Sequence, residues 1–510
     1  MQGIRLSGHD LAIDDVERVA HGRPEIELAP EAERQIAASR ELIERVVAEG
    51  RPTYGVNTGF GRLVDVHIDA AQAADLQLNL LRSHACGTGA AFPDEIVRGA
   101  TLLRANALAT GTSGVRRETV QLLLDMLAAG VHPVVPSRGS LGASGDLAPL
   151  AHLALVLVGE GEARVDGETL PGADALARAG LTPIVLAAKE GLALINGTQF
   201  MAAIGALTVC RARRMVKLAD LAAAQTIEAV RGSRTPFAPE LQALRPHPGQ
   251  EASAANLYRL LDDSQIVASH RWCGRVQDAY SLRCTPQVHG AVRDALDYCA
   301  RAVSVELNAA TDNPLVLADR EEVVSNGNFH GEPVAIPLDA LKIALAELAG
   351  ISERRIERML NPTMSNGLPA FLTEDGGLNS GFMIAQYVAA SLVSENKVLA
   401  HPASVDSIPT SAGQEDHVSM GATAAVHLWQ VCANVERVLA VELLCGAQGL
   451  DFLAPLTPGP GVSVLHEAVR RRSPHLERDR SLAAEIDQLA AAVRDGSILA
   501  EVEGAAGELR

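Results

Sequence analysis

In "LDALKIALAELAGISERRIERML" (338–360) the apolar residues Leu338, Leu341, Leu345, Leu348, Ile356 and Met359 fall near one stripe of a 3.6-residue period, with the charged residues on the others. A strand would scatter the same residues over both of its faces, so the pattern suits a long helix with one side in a core. "GFMIAQYVAASLVSENKVLA" (381–400) and "AAVHLWQVCANVERVLAVELLCGAQGL" (424–450) are also long, and apolar on most faces. They suit helices buried in the centre of a bundle or between subunits. Aromatic residues make up 3% of the chain against 47% hydrophobic residues overall, so the interior must be built mainly of Ala, Leu, Val and Ile. Such side chains favour closely packed helices, and the expected fold is mainly α with a long-helix bundle as its core.

The part before residue 205 is broken more often by Gly and Pro. It mixes helices, such as 116–129 stopped by Gly130, with extended pieces such as 131–136. "EARVDGETL" (162–170) carries Asp-Gly between alternating residues and reads as a small hairpin. No internal repeat or low-complexity linker interrupts the 510 residues, which can bury a large core. Two parts are therefore expected: a mixed, loop-rich N-terminal part over 1–205, and a long-helix bundle over 206–510 with oligomer contacts.

Charge and motifs exclude several classes. With 44 basic and 62 acidic residues the formal charge is −18, which argues against nucleic acid or an anionic membrane as partner. The first residues lack the charged-then-apolar plan of a secretory signal, and the apolar run in "LAHLALVLVGEG" (150–161) is too short to span a bilayer. A soluble, cytoplasmic protein is expected. The seven cysteines are scattered without a C-x-x-C pair and read as buried small hydrophobes. The 15 histidines form no H-E-x-x-H and no close Cys/His cluster, so no catalytic metal is expected. "GASGD" is not a hydrolase elbow, because Asp146 stands where the second Gly of G-x-S-x-G is needed. None of the four lysines, Lys189, Lys217, Lys342 and Lys397, has a setting that suggests a Schiff base.

What remains is a set of polar or glycine-rich islands. "GSLGASGDLAPL" (139–150) places Ala143-Ser144-Gly145 after Gly139 and Gly142 and before Pro149. That is either a turn or three small residues whose backbone can fold back and react. "YGVNTGFG" (54–61) holds Tyr54, one of five tyrosines; "RSHACG" (82–87) holds His84; "INGTQ" (195–199) holds Asn196. "QDAYSLRC" (277–284) spaces Gln277, Tyr280 and Arg283 by three, which in a helix would put them on one face. "GNFHGEP" (327–333) and "GQEDHVSM" (413–420) complete the set. Each alone reads as a turn, a satisfied histidine or a solvated face; together they are hard to dismiss.

"GSLGASGDLAPLAHLALVLVGEG" (139–161) closely resembles the signature of the ammonia-lyase family that builds a methylidene-imidazolone (MIO) electrophile from its own backbone. The other islands match that family in the same order over nearly the whole chain. Such an electrophile answers a real need, since an amine is a poor leaving group and side chains offer no strong electrophile. The resemblance implies that the amide nitrogen of Gly145 attacks the carbonyl carbon of Ala143. Two waters are lost and Ser144 is left as an exocyclic methylidene, with no external cofactor. It implies further that the substrate amine adds there, that Tyr54 takes the β proton, and that Tyr280 supports the electrophile. A phenol with a pKa of about 10 must be shifted toward working pH for that task. Arg283 would clamp the substrate carboxylate, Asn196 and Gln277 would orient the substrate, and Phe329 would line the pocket.

His84, following Ser83, and Glu415 match the family's histidine-type pattern, where a carboxylate can pair with an imidazole N–H. Together they imply L-histidine as substrate and trans-urocanate and ammonia as products, the first step of histidine degradation. The family assembles as a homotetramer with active sites shared between subunits, so the same is expected here. The sequence departs from the family at Leu141 (commonly Val), Cys86 (Ala), Ala279 (Pro), Gly331 (Ala) and Gly413 (Asn), the last bearing on the rigidity of the loop before Glu415. The rival readings are a tyrosine or phenylalanine ammonia-lyase, an aminomutase, an acid–base lyase without an electrophile, and a non-catalytic helical scaffold. The scaffold would require a loss in one of these roles, and none is missing.

Overall fold

The computed structural model describes residues 3–59, 65–66, 68–69 and 72–510. Helices dominate it, as the periodicity requires, and none among the described residues is long and apolar enough to cross a membrane. The stripe 338–360 lies in the helix Glu332–Leu360, and all six of its apolar residues are fully buried. That helix starts before Pro337, which near the N-terminus forfeits a single intrahelical bond. Gly130 ends the helix Arg117–Ala129 in the left-handed region, φ +74°, where glycine has no steric penalty. The expected hairpin pairs Glu162–Val165 with Glu168–Pro171, and Asp166 and Gly167 turn it with φ of +49° and +81°.

Three expectations need correction. The helix Met383–Leu399 is not buried in the centre of a bundle: Ala385, Ala389 and Asn396 are buried, but Ile384, Tyr387 and Val398 are more than half exposed. Helix Gly421–Asp451, in contrast, is buried along most of its length. Cys86 and Cys273 are exposed and Cys284 is partly so, leaving four buried cysteines. Gln277 does not share a helical face with Tyr280 and Arg283, because only Tyr280–Arg283 is helical there and residues 275–279 are extended or irregular.

The chain divides into two compact units. The first comprises Met1–Cys210, Cys299–Asp339 and Pro402–Val426. Its centre is the helix Asp94–Ala109, buried from Ile96 to its end. A Cβ on Gly99 would lie 3.2 Å from Ala203 Cβ and 3.3 Å from Val16 Cγ1, so neighbouring helices approach as closely as an aromatic-poor core needs. Buried Arg98 donates to the last-turn carbonyls of two helices, Val19 at 2.7 Å and Leu127 at 3.2 Å. The described strands all lie in this unit and are short: Ile4–Leu6 runs parallel to Ile26–Leu28, and Thr88–Ala91 pairs antiparallel with Pro136–Arg138.

The second unit comprises Arg211–Tyr298, Ala340–His401 and His427–Arg510. Its interior holds a charged network. Asp220 accepts from His289 Nδ1 and Arg293 at 2.7 Å, from Ser253 at 2.6 Å and from Asn256 at 2.9 Å. Burial alone would raise its carboxyl, but Arg293 and the His289 and Ser253 bonds outweigh it and hold the group at about 2. Arg355 donates to His289 Nε2 at 3.3 Å, so that histidine is neutral with its proton on Nδ1. Arg355 also grips Glu442 through Nε at 2.5 Å and Nη2 at 2.9 Å, with Thr226 and Ser352 donating to the same carboxylate.

Arg355 and Glu442 are both fully buried, so removing one strands the other as an uncompensated charge. Arg355→Met is expected to cost about 3–5 kcal/mol in denaturant unfolding, and Arg355→Met combined with Glu442→Leu to recover part of that loss. A single variant as stable as the parent would show that the pair carries no such load.

Candidate active site

The segment 139–146 is bent at its glycines, with φ of +126° at Gly139, +67° at Gly142 and +74° at Gly145. At Gly145 the bend is enforced from outside. A Cβ there would sit 2.1 Å from the carbonyl oxygen of Gly197, so no other residue fits. Gly145 and Gly197 form a parallel bridge, and the N–H of Asp146 donates to Gly197 O at 2.6 Å. At the other end Ser419 Oγ donates to Gly142 O at 3.0 Å, and a Cβ on Gly142 would strike that same hydroxyl. Ala143 is buried with Val418 and Met420, with Leu141 packed alongside. The triplet is thus held from both sides by distant segments, by the backbone of Gly197 at one end and the Ser419 hydroxyl at the other.

Asp146 anchors the turn to the helix that follows Gly197. Its Oδ2 accepts from the N–H of Met201 at 2.9 Å. Complete burial pushes its carboxyl up to about 7, against the pull of the Met201, Phe200 and Ser140 hydrogen bonds.

Ser144 itself is half-buried, and its hydroxyl donates to Glu415 Oε1 at 3.2 Å. The second oxygen of Glu415 accepts from Thr410 Oγ1 at 2.6 Å. The loop between them closes on itself through Thr410 N to Glu415 O, 2.9 Å, and Glu415 N to Thr410 O, 3.3 Å. Within it Ser411, Ala412 and Gly413 are all left-handed, with φ of +52°, +53° and +87°.

His84 ends the helix Ala73–His84, with Nδ1 2.9 Å from Leu80 O. Since that carbonyl only accepts, Nδ1 carries the proton in this arrangement and Nε2 is left as an acceptor. Burial pushes the imidazole pKa down, while Leu80 and the nearby Glu415 carboxylate pull it back up. The electrostatic influence of Glu415 places His84, Glu415 and Ser144 in one neighbourhood. The chain after His84 reaches the start of the segment that leads into the triplet, since a Cβ on Gly139 would lie 3.2 Å from Gly87 Cα.

Tyr54 sits in the turn 54–56, half-buried. The next residue, Gly55, has φ +73° and leaves no room for a Cβ, which would meet Leu192 Cδ2 at 2.5 Å. This packs the tyrosine turn on the helix Glu190–Ile195, whose C-terminal cap is Asn196. The last residues of the 54–61 motif, Phe60 and Gly61, lie outside the described residues. Phe329 is half-buried; its neighbour His330 stacks on His417 at 5.8 Å and 2°, joining the 327–331 segment to the one that carries Glu415.

Gln277, Tyr280 and Arg283 belong to the second unit, where they line one open cleft with Arg275, Asp278 and Arg358. Arg283 Nε donates to Asp278 O at 2.9 Å, and its guanidinium lies 4.8 Å from the centre of the Tyr280 ring. Tyr280 is 71% exposed. Two departures from the family pattern have local reasons. Ala279 has φ −67°, the value proline fixes, so either residue suits the position. A Cβ on Gly331 would press on Met201 and Ser419 at 2.8 Å, so this packing prefers glycine.

Sequence reading did not single out several residues that build the site: Asp146, Gly197, Ser419 and Thr410, and the buried charges Arg104, Lys189 and Asp312. Asp146, next to the triplet, and Lys189, one of four lysines, were the available signals. No group of three or more His, Cys, Asp or Glu able to hold a metal occurs among the described residues.

Comparison with known proteins gives the family. The family model for aromatic amino acid lyases matches residues 11–471. The chain is 60% identical over 504 residues to a histidine ammonia-lyase of Gloeobacter violaceus, covering 99% of this chain and 98% of that protein. The crystal structure of histidine ammonia-lyase from Trypanosoma cruzi superposes with a TM-score of 0.91 at 45% identity, over 99% of this chain and 95% of the other. Tyrosine aminomutase from Streptomyces globisporus superposes with a TM-score of 0.94 at 39% identity over the whole of both chains. The chain is a member of the aromatic amino acid lyase family.

Proposed function

We propose that the chain eliminates ammonia from L-histidine to give trans-urocanate, with an MIO electrophile formed from Ala143, Ser144 and Gly145. The observation that carries the substrate assignment is the Glu415 carboxylate, 3.2 Å from Ser144 Oγ and within electrostatic reach of His84. The triplet fits the group. Gly145, whose nitrogen must reach back to Ala143, is left-handed at φ +74° and pressed against Gly197. When formed, MIO supplies an electron-poor carbon through which the amine becomes a leaving group.

The side chains divide the remaining work. Loss of the Ser144 hydroxyl as water removes the donor that Glu415 Oε1 holds, and frees that oxygen to accept an imidazole N–H. A carboxylate forms that bond more strongly than an amide would, and a plain aromatic ring has no hydrogen to offer it. His84, kept toward its neutral form by burial, presents Nε2 as an acceptor without adding a positive charge. Tyr54 removes the β proton, Asn196 meets the amine, and Phe329 walls the pocket. Arg283 takes the carboxylate in a two-pronged bond, with Gln277 and Tyr280 beside it. These last three serve the active site of another copy in a homotetramer. Support for that assembly comes from the apolar side chains left in solvent, Ile384, Tyr387 and Val398 on one helix and Trp272, 90% exposed.

Incubated with L-histidine, the purified chain should release urocanate, and its intact mass should fall short of the translated sequence by two waters. Ser144→Ala should fold, weigh what its sequence dictates and form no urocanate; a parent of full translated mass would defeat the electrophile. Glu415→Gln should raise the KM for L-histidine about 10- to 100-fold, the worth of a hydrogen bond to a charged group. An unchanged KM would remove Glu415 from substrate recognition.

A further inference from the structure

The segment that meets Gly145 is gripped from behind by buried charges. Arg104 and Lys189 are fully buried and Asp312 is 1% exposed. Lys189 Nζ lies 2.6 Å from Asp312 Oδ2. Asp312 Oδ1 accepts from the N–H of Asn313 at 2.7 Å and, at a longer 3.5 Å, from Asn196 Nδ2. The carbonyl of Asn313, set by that turn, takes Asn196 Nδ2 at 3.1 Å. Arg104 Nη1 donates to the backbone oxygen of Asn196 at 2.7 Å.

Charges this deep are a poor way to stabilise a fold, because apolar replacements of equal volume are often as stable or more so. Burial lowers the pKa of Lys189, and that of Arg104 to about 10, with Asp312 opposing the shift in both. What the three charges share is Asn196. Its amide hydrogens face two groups that can only accept, a carboxylate and a backbone carbonyl. Turning the amide over would set oxygen against oxygen at both contacts. The orientation is therefore fixed, and it leaves Asn196 Oδ1 buried with no partner among the described residues. A buried carbonyl oxygen without a donor is costly, and the group that relieves it must bring an N–H or O–H. Asn196 stands one residue before the Gly197 that touches Gly145, which brings it close to where the amine of a substrate on the triplet would supply such a donor.

We propose that Asp312, locked by Lys189, is a positioning residue that holds the Asn196 side chain with its carbonyl oxygen as the acceptor for the amine of the substrate. The inference rests on the reading of the site given above and adds Asp312 and Lys189 to it. The pair acts through Asn196 and touches no reacting atom. Lys189 matters because without it the Asp312 carboxylate would lose its buried ion-pair partner and be free to turn toward another donor.

The test is binding to the full-length Ser144→Ala protein, which cannot form the electrophile, measured by calorimetry. Two ligands are compared, L-histidine and imidazolepropionate, the same skeleton without its amine. Asp312→Asn and Lys189→Met should each weaken L-histidine about tenfold and leave imidazolepropionate within about twofold, and Lys189→Arg should restore most of the loss. Added to Asn196→Ala, Asp312→Asn should change L-histidine binding by less than about twofold, since nothing remains to be positioned. Equal weakening of both ligands, or a full further loss on Asn196→Ala, overturns the proposal. So does failure of both Asp312→Asn and Lys189→Met to fold, which would assign the pair to the fold alone. Should the Ser144→Ala parent not bind L-histidine and the unsubstituted chain make no urocanate, the substrate reading falls and this inference falls with it. Urocanate formation combined with equal weakening of the two ligands defeats the inference alone.

Discussion

The carbonyl oxygen of Gly197 stands 2.1 Å from the point where a side chain on Gly145 would begin. Such a contact can exist only between two glycines, or between a glycine and bare backbone, and it fixes much of the site. It bends the triplet at Gly145, φ +74°. It brings Asn196 beside that bend, because Asn196 precedes Gly197 in the chain. It also aligns Asp146 with the first turn of the helix Gln199–Ala229, where the Met201 N–H meets its carboxyl. One backbone approach thus sets the turn of the triplet and the carboxyl that anchors it.

An interior with so few aromatic rings makes that approach possible. Helices built from Ala, Leu and Val come close wherever a glycine opens a path, as at Gly205, where a Cβ would meet Val303 at 3.0 Å and Leu338 at 3.1 Å. Close packing leaves little room for water, so polar groups inside must be satisfied by other side chains. Asn106 illustrates this: it accepts from the N–H of Gly8 at 3.1 Å and donates to Leu307 O at 2.9 Å. Arg98, Arg104 and Arg355 do the same on a larger scale, each fastening the carbonyl or carboxylate of another segment. The buried charges follow from tight helical packing combined with a loop-rich active site, whose irregular backbone cannot satisfy itself.

How much of this the sequence declares depends on the range of the interaction. Local rules were legible: the stripe from Leu338 to Met359, the stop at Gly130 and the Asp166-Gly167 turn each depend on residues close in the chain. The triplet stood out through the resemblance of 139–161 to a family signature, since three small residues amid glycines read equally well as a turn. Longer-range pairings were not. Nothing in the sequence couples Lys189 to Asp312 or Arg104 to Asn196, and a lysine judged by its neighbours alone carries no sign of its partner. The three-residue spacing of Gln277, Tyr280 and Arg283 misled because a helical period says nothing where no helix forms, and the helix there begins only at Tyr280. For Met383–Leu399 the sequence left two settings open, the centre of a bundle or a subunit contact, and the exposed Ile384, Tyr387 and Val398 exclude the first. The helix's apolar faces are real, but hydrophobicity records that a surface is to be covered and not by which chain.

Gly413 lies in the loop that ends at Glu415, the residue proposed to choose the substrate. An asparagine there, as is common in the family, tolerates the left-handed region and could stiffen the loop by bonding to its own backbone. Glycine offers no such bond, yet a Cβ at this position would meet nothing within 4 Å, so the residue is not required by packing. Rigidity must come from elsewhere, and the Thr410–Glu415 closure supplies it through two backbone hydrogen bonds and a third between the side chains. Ser411 and Ala412 sustain left-handed angles that their side chains resist, a strain that persists only where the surroundings impose it. The carboxylate is therefore aimed by the two ends of the loop and not by its tip. Since the same carboxylate accepts from Ser144, the proposed choice of an imidazole would be tied directly to the geometry of the triplet.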